Sequence, residues 1–594
     1  MSSLAERVRA RVRPGRRSST AEALSRPGQV DDHLSRWAAA AILAVMSLQT
    51  LFLLVGCDWD LCGDEAEYWA WSQRLDWAYF ARGPVIAVVV RLGIELFGSF
   101  SEAMTGSLMF AARFMAVLIG GLTAWGIFRL AEETTGSRRS ALFAVLILPA
   151  IPLFAVGGVI ITADSPLIGS WVWSAVWAFR AIRRDDGRAW AISGVIGSLG
   201  VLAKYSVLAM PASVGLFLLV IPERRRELLR TGFWTMSLLC VGLGLGPIVA
   251  WNAHHGWVGA NQLADRVGLA NRAVWGGLGP VLGFLGGEFA VLGGFWWVAG
   301  VAAIVSSLRD VRHRTTDNAT REGTVFLLTL WGVTWCACLS ASFLGESEAN
   351  WMATGYTALV VLIGRRADVA FAEGGGRKRA YLVSWGMAVS LIAMIHHTEW
   401  FYPAIARFVP GPSKRFAAPL RVYDATARLR GYEELAVEVE KRLESLRAAG
   451  EDPFVVTAYY QLASTLSFYM KGHPETYCLA WNFGMSREPV NQHDLWHPNP
   501  RHDPGPFLGR TVLVVEDANQ PPNYAMILRD KKVVRSIEPI ERFEIKERGV
   551  TVAAWDIAIG RDFRGVAGYE QNRPGARRHP KPPAPTDPPS TPVR

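Results

Sequence analysis

The chain has 594 residues, of which 51% are hydrophobic and only 19% are charged. Soluble proteins carry about 25% charged residues, so this composition excludes a disordered chain or a coiled coil and indicates a membrane protein. The net charge of +10 does not indicate nucleic-acid binding, because the arginines lie in short clusters between long apolar runs, a pattern that sets membrane topology. Six cysteines are too few for a disulfide scaffold in a chain of this length.

Eleven apolar runs are long enough, or nearly so, to cross a bilayer, which takes about 20 residues. In chain order they occupy residues 37–56, 109–130, 141–161, 166–181, 190–203, 206–221, 231–251, 278–305, 324–343, 352–364 and 380–396. Lysine and arginine are concentrated in every second connection, beginning with the basic segment 1–36. Because cytoplasmic connections carry the excess of positive charge, the N-terminus is predicted in the cytoplasm and the tail outside. We expect a multi-pass protein of the plasma (inner) membrane, whose basic N-terminal segment is not a cleavable signal peptide.

The transmembrane domain is predicted to span residues 37–396, and an external α/β domain residues 397–573. Helices are expected at 433–447 and 459–470, with β-rich runs at 453–457, 511–516 and 550–558. Residues 574–594 are rich in proline and are predicted to be disordered.

The first predicted external loop, residues 57–108, begins with a dense group of carboxylates among aromatic residues. The group consists of Asp58, Asp60, Asp64, Glu65 and Glu67. Either these acids form a solvated face, or the neighbouring Trp59, Tyr68 and Trp69 hold them in a partly dehydrated pocket. Burial of that kind suits a carboxylate that acts as a general base.

Three further charged residues are predicted at the same membrane face, namely Arg82, Asp164 and Lys204. Lys204 lies alone between two apolar segments, where a charge is costly and indicates a functional site, although such a lysine can also extend to the lipid headgroups. Cations beside carboxylates suit a phosphate-linked substrate, because the cations can hold the phosphate while a carboxylate activates the attacking group.

Several motifs in the order of this chain resemble the GT-C class of membrane glycosyltransferases, and in particular the family-39-like proteins related to protein mannosyltransferases and the lipid A aminoarabinose transferase. They are Asp64-Glu65-Ala66-Glu67-Tyr68-Trp69, Tyr79-Phe80-Ala81-Arg82-Gly83-Pro84, Thr162-Ala163-Asp164-Ser165-Pro166, Lys204-Tyr205 and the segments 247–257, 348–351 and 492–496. The resemblance covers about residues 37–560. It implies a GT-C fold and a transferase that moves a sugar from a polyprenyl-phosphate carrier to a lipid, glycan or protein acceptor at the external face.

The resemblance also assigns roles to residues. Asp64 corresponds to the catalytic carboxylate of the family, with Glu65 beside it, and Asp164 corresponds to a second acidic position. The residues expected to hold the donor phosphate are Arg82, Lys204 and Tyr205, and the candidates for the acceptor side of the cavity are Tyr68, His255, Glu348 and Asn350.

Two positions depart from the family pattern. Gly83 stands where relatives often have proline, and Glu288 stands where they commonly have glutamine. These departures leave the donor geometry and the identity of the sugar open.

A metal is not required by the residues, although a divalent cation remains an alternative through the weak candidates Asp58 and Asp60. The pairs 254–255 and 396–397 are histidines without a third spaced ligand. Cys57 and Cys62 are close enough in sequence to form a disulfide. Glu346 is expected, with Glu348, to line the acceptor side or to cap a helix.

The mechanism predicted is an inverting displacement, in which Asp64 takes a proton from the acceptor while Arg82 and Lys204 stabilise the departing lipid phosphate. The alternative from another class is a transporter or flippase, which would share the many spans and the intramembrane charges. A membrane-anchored binding protein is the third possibility. Apart from the donor and acceptor, the partners expected are membrane lipids and not nucleic acid.

Overall fold

The computed structural model describes residues 27–266, 277–344, 348–413, 416–479, 489–520 and 524–566. The predicted cytoplasmic segment 1–36 therefore lies mostly outside the described residues. Glu346 and the predicted disordered tail 574–594 lie outside them entirely.

A bundle of helices forms the first two thirds of the chain. The helices are α1 (Pro27–Leu51), α2 (Gly63–Gln73), α3 (Val85–Thr105), α4 (Met109–Thr135), α5 (Arg138–Ile147), α6 (Pro152–Gly157), α7 (Asp164–Arg184), α8 (Gly187–Ala203), α9 (Ala209–Val220), α10 (Thr231–His254), α11 (Val258–Arg266), α12 (Leu278–Leu292), α13 (Gly294–His313), α14 (Asn318–Leu344), α15 (Ala353–Glu373) and α16 (Gly375–His396). Small and apolar side chains of α4, α5, α7, α8, α9, α14 and α15 make the main core.

Membrane-spanning length is reached by only some of these helices. Within the described ranges, five are long and apolar enough to cross a membrane, or six if the bent pair α12 and α13 counts as one span. Several of the other predicted runs coincide with helices that are shorter or interrupted, so the count of eleven spans stays a prediction.

The predicted span 278–305 consists of two helices. Helices α12 and α13 meet there at 105°. The bend falls at Gly293, whose φ of +65° is a conformation that glycine adopts at little cost.

Residues 57–108, which are predicted to form the first external loop, contain α2 and α3. Helix α3 buries Ile86 and Val90 and exposes a stripe of apolar side chains with a spacing of four. The stripe consists of Val88, Leu92, Leu96, Phe100 and Met104. This period was available in the sequence and indicates a helix with two apolar faces.

The chain ends in a mixed α/β domain. Its elements are α17 (Tyr402–Ile405), α18 (Leu420–Tyr423), α19 (Tyr432–Ala448), β1 (Pro453–Thr457), α20 (Tyr460–Tyr469), β2 (Tyr477–Cys478), β3 (Thr511–Asp517), α21 (Tyr524–Asp530), β4 (Val534–Ile537), β5 (Glu541–Glu547) and β6 (Val550–Phe563). The sheet order is β2-β1-β3-β6-β4, with β5 also paired to β6. Strands β1, β2 and β3 are parallel, and β6 is antiparallel to its neighbours. The two predicted helices and three predicted β-rich runs are confirmed, although β6 extends beyond the run at 550–558.

This domain rests on residues 60–63 at the start of α2. The Asp60 carboxylate accepts a hydrogen bond from the backbone N–H of Tyr432, at 2.7 Å, and the Leu61 N–H donates to the Tyr469 hydroxyl, at 2.7 Å. Gly63 packs so closely against the Gln461 side chain that a Cβ would lie 2.3 Å from it. The contacts place the sheet domain at the end of the bundle where α2 lies; we call this the domain-bearing end.

Candidate active site

Asp64 lies in the first turn of α2, where the free N–H groups of the helix favour a negative charge. The helix starts at Gly63 because the Glu65 carboxylate reaches back to the N–H of Cys62, at 3.0 Å. The Asp64 side chain is half-buried and makes no hydrogen bond or ion pair with another described residue. Its carboxylate therefore remains available to a substrate.

Glu65, by contrast, has hydrogen-bond donors at both carboxylate oxygens. It forms a two-pronged ion pair with Arg113, with Nε–Oε1 at 2.9 Å and Nη2–Oε2 at 2.7 Å, and both side chains are completely buried. The Ile161 N–H also donates to Oε1, at 2.9 Å. With the Cys62 bond, each carboxylate oxygen has two donors, which fills its hydrogen-bonding capacity.

Arg113 lies at the centre of this arrangement and is not among the site residues predicted from the sequence. Besides Glu65, it donates to the carbonyls of Trp59, at 2.8 Å, and Asp60, at 2.6 Å. It thereby ties residues 59–60 to α4. The available signal was a charged residue inside the predicted span 109–130, which is by itself a pointer to function.

Arg82 is carried by a tight turn between α2 and α3. Tyr79 and Arg82 exchange backbone hydrogen bonds at 2.8 and 3.3 Å. The next residue, Gly83, packs against the end of α8, where a Cβ would lie only 2.1 Å from the Leu202 carbonyl oxygen. This contact accounts for glycine at a position where relatives often have proline, since any side chain would force the turn away from α8.

Lys204 and Asp164 form an ion pair at the same end of the bundle. Lys204 follows the last residue of α8, Asp164 begins α7, and the Nζ–Oδ1 distance is 2.7 Å. The second oxygen of Asp164 accepts a hydrogen bond from the Asn350 side chain, at 3.3 Å. Asn350 belongs to a short turn before α15. Three distant segments thus converge on one carboxylate.

The neighbouring acidic groups act electrostatically on Arg82. Burial alone would lower the pKa of Arg82, but the Tyr68 hydroxyl and the carboxylates of Asp164, Asp64 and Glu67 together raise that pKa above its ordinary value. Burial also raises the pKa of Tyr68 well above its usual range. Within the described residues, Arg82 makes no direct hydrogen bond or ion pair, so its guanidinium is held in a negative field without a fixed partner.

Tyr205 lies beside Arg82, in a small apolar cluster with Phe80 and Trp251. The site region thus contains Asp64, Tyr68, Arg82, Asp164, Lys204, Tyr205 and Asn350 of the predicted set, together with Glu67, which was not assigned a role.

His255 and Glu348 have local partners instead. The His255 ring stacks on Trp251 at 4.1 Å and its Nδ1 lies 2.9 Å from the Trp251 carbonyl. Glu348 is exposed and accepts a hydrogen bond from the Trp351 indole, at 3.2 Å. Neither makes a described contact with Asp64 or Arg82.

The weak metal candidates do not assemble a site. Over the ranges described, no group of three or more His, Cys, Asp or Glu side chains is placed to hold a metal ion. Asp60 instead joins the bundle to the sheet domain, and burial raises its pKa to about 7. Cys57 and Cys62 are free thiols.

An apolar cavity of about 430 Å³ lies between α1, α4, α5, α6 and α7. Its walls are almost entirely hydrocarbon, and its polar end reaches the Asp164–Asn350 contact. Its apolar lining includes Ile42, Met46, Ile119, Leu153 and Ile160. A hydrocarbon chain in this cavity would have its end beside the charged groups.

Comparison with known proteins agrees with this architecture. Residues 81–251 match the family model described as dolichyl-phosphate-mannose-protein mannosyltransferase. A curated relative, the lipid A galacturonosyltransferase RgtD of Rhizobium johnstonii, is 28% identical over 309 residues. That match covers 51% of this chain and 60% of RgtD, so the chain spans less than two thirds of the relative's length.

Two solved structures share the fold at low sequence identity. ArnT from Cupriavidus metallidurans bound to undecaprenyl phosphate has a TM-score of 0.53 at 16% identity, and its apo form has a TM-score of 0.50 at 17% identity. Each alignment covers 87% of this chain and 97% of ArnT. The chain therefore has the fold of the GT-C class of membrane glycosyltransferases.

Proposed function

We propose that this protein transfers a sugar from a polyprenyl-phosphate-linked donor to a lipid acceptor at the domain-bearing end of the bundle. The observation that carries the proposal is that Asp64 and Arg82 lie in one charged region and that, within the described residues, neither side chain makes a hydrogen bond or an ion pair. Both are therefore available to bind a substrate.

The donor phosphate is assigned to Arg82, with Lys204 and Tyr205 beside it. A guanidinium fits two phosphate oxygens at once. Lys204 is bound to Asp164, but an ammonium has three donors and can contact a phosphate without leaving the carboxylate. The solved relative ArnT bound to undecaprenyl phosphate supports this class of donor.

The lipid character of the substrates is supported by the apolar cavity. Its polar end lies at Asp164, so a chain within it keeps a head group near Arg82 and Asp64. A relative named as a lipid A galacturonosyltransferase supports a lipid as acceptor.

The reaction would proceed as a single displacement. Asp64 takes the proton of the acceptor hydroxyl while the acceptor oxygen forms a bond to the anomeric carbon. The bond between that carbon and the phosphate oxygen breaks, and the lipid phosphate leaves with the electron pair. Arg82 and Lys204 stabilise the negative charge that grows on it. The configuration at the anomeric carbon is inverted.

The bundle is proposed to lie with the domain-bearing end outside the cytoplasm. Many of its arginines lie near the opposite helix ends, as on α7 and α13, which supports this orientation. Reaction and sheet domain would then face the periplasm.

A transfer assay tests the function. Purified protein is incubated with labelled undecaprenyl-phosphate-linked galacturonic acid and lipid A; the carrier is the one bound in the ArnT structure, and the sugar and acceptor are those in the name of RgtD. Labelled lipid A is expected with the wild type, and Asp64→Asn is expected to lose at least about a thousandfold of the rate, as when a central catalytic group is removed. Glu95→Gln is the matched control, because Glu95 lies on the exposed face of α3 and pairs with Arg91.

Near-normal turnover of Asp64→Asn would remove Asp64 from the mechanism. Failure of transfer with several sugars, together with movement of the intact lipid across a vesicle membrane, would favour a flippase instead.

A further inference from the structure

A short segment of the sheet domain, residues 490–501, touches the Arg82 turn. The side-chain oxygen of Gln492 accepts a hydrogen bond from the backbone N–H of Phe80, at 2.7 Å, and both residues are buried. Leu495 packs in the apolar cluster that contains Phe80. Trp496 stacks under the Arg74 guanidinium at 4.8 Å.

The backbone N–H of Phe80 requires an acceptor from outside the turn. Tyr79 and Arg82 bond to each other within the turn, so the N–H of Phe80 between them points away from the turn. A buried backbone donor without a partner is strongly disfavoured. Gln492 therefore fixes the direction of the peptide two residues before Arg82.

The segment that presents Gln492 is itself rigid. Asp494 accepts hydrogen bonds from the Val490 N–H, at 2.9 Å, and from Arg501, at 2.8 Å, and the Asp494 and Arg501 side chains are fully buried. The side chain of Asn499 donates to the His493 carbonyl, at 2.6 Å. A segment held in this way can impose a position on the turn that it contacts.

The turn has further contacts with the helix bundle. The Tyr79 ring stacks on Trp71 of α2 at 4.5 Å, and Gly83 abuts the end of α8. Phe80 packs in one cluster with Trp251 of α10, and its carbonyl oxygen lies close to Gly259 of α11. Gln492 adds a buried polar contact from the sheet domain.

We propose that Gln492 is a positioning residue for the donor phosphate, acting through Phe80 on Arg82, so that the sheet domain is a structural part of the donor site. The inference rests on the proposed function, since it assigns the phosphate to Arg82. In this proposal the position of the Arg82 guanidinium depends on the sheet domain.

The test measures binding of undecaprenyl phosphate to the purified full-length protein. Gln492→Met keeps the side-chain volume and removes the acceptor, and it is expected to weaken binding about five- to tenfold. Gln492→Glu keeps an acceptor oxygen and is expected to restore most of the binding. Gln520→Met is the control, because Gln520 is exposed and its side chain hydrogen-bonds only the Tyr459 hydroxyl among the described residues.

A double-variant cycle with Arg82→Ala separates positioning from a general structural effect. If Gln492 acts through Arg82, Gln492→Met has little further effect on binding once Arg82 is gone. Equal weakening in both backgrounds, or unchanged binding by Gln492→Met alone, would overturn the inference. If Gln492→Met does not fold, the same cycle with Leu495→Ala tests the apolar half of the contact.

Failure of the proposed function has a different signature. A wild-type protein that does not bind undecaprenyl phosphate at all would refute the donor assignment. A wild type that binds it as tightly as Gln492→Met would refute only the role of Gln492.

Discussion

Adjacent acids at the start of α2 have opposite surroundings. Asp64 has no described partner, whereas Glu65 accepts four hydrogen bonds and is completely buried. The resemblance to a family predicts catalytic roles for both. The contacts instead favour Asp64 as the reacting group and Glu65 as the anchor that orients it.

The two roles predict different effects of substitution on the free energy of unfolding. Glu65→Gln is expected to reduce the free energy of unfolding by about 3–5 kcal/mol, because it leaves the buried Arg113 charge uncompensated. Asp64→Asn is expected to leave stability unchanged within about 0.5 kcal/mol. Unfolding in detergent, followed for both variants and the wild type, checks the contrast. Equal stability of Glu65→Gln and wild type would contradict the anchoring role.

Asp60 gives the junction between bundle and sheet domain a pH dependence. Burial, reinforced by the charges of Glu433 and Glu434, raises its pKa to about 7, although the Tyr432 N–H and Arg113 oppose the shift. A carboxyl group with a raised pKa holds its proton in the folded state after the unfolded chain has lost it. Stability therefore falls as the pH rises from about 4 to about 7, and changes little above that through this group.

The melting temperature should accordingly be higher at pH 5.5 than at pH 8, and Asp60→Asn should reduce that difference. The comparison must be made between variant and wild type, because burial also raises the pKa of Glu516 to about 7 and acts in the same direction. An identical pH difference in both proteins would exclude Asp60 as its source.

At the scale of elements, the site depends on how closely the Arg82 turn approaches α8. Helix α8 ends immediately before Lys204, so the turn and the ion pair share one support. Gly83 permits this approach, because it has no Cβ to meet the Leu202 carbonyl.

Gly83→Ala is expected to weaken binding of undecaprenyl phosphate at least about tenfold, since a Cβ would displace Arg82 from its place near Lys204. Gly187→Ala, at the far end of α8, is the control, because a Cβ at Gly187 meets no atom within 4 Å. Binding isotherms of the two variants check the prediction. Unchanged binding by Gly83→Ala would show that the approach to α8 is not needed.

For the whole molecule, the proposed orientation places the reaction and the sheet domain on one side of the membrane. Glu444 is exposed in the sheet domain, and Arg188 is exposed at the opposite end of the bundle. Single cysteines at these positions, with Cys57, Cys62 and Cys336 replaced by serine, report which side each faces.

A membrane-impermeant maleimide added to intact spheroplasts should label Glu444→Cys and not Arg188→Cys. Labelling of both after lysis is the control for reactivity. Labelling of Arg188→Cys alone in intact spheroplasts would indicate the opposite orientation.

The sequence by itself predicted the fold class of this protein. Long apolar runs indicated a membrane protein, ordered motifs indicated the GT-C class, and alternation of pattern located the strands and helices of the sheet domain. These are properties of neighbouring residues, since hydrophobic period and local motif spacing are written along the chain. The same information located the charged residues Asp64, Arg82, Asp164 and Lys204.

The tertiary structure decided which of those charged side chains have partners among the described residues. Glu65 and Asp64 are neighbours in sequence, but only packing against α4 brings Arg113 to one of them. Likewise, Gln492 meets Phe80 across more than 400 residues. Partners so distant are set by how helices and domain pack, because hydrogen bonds and ion pairs depend on distances in space, which local sequence patterns do not encode.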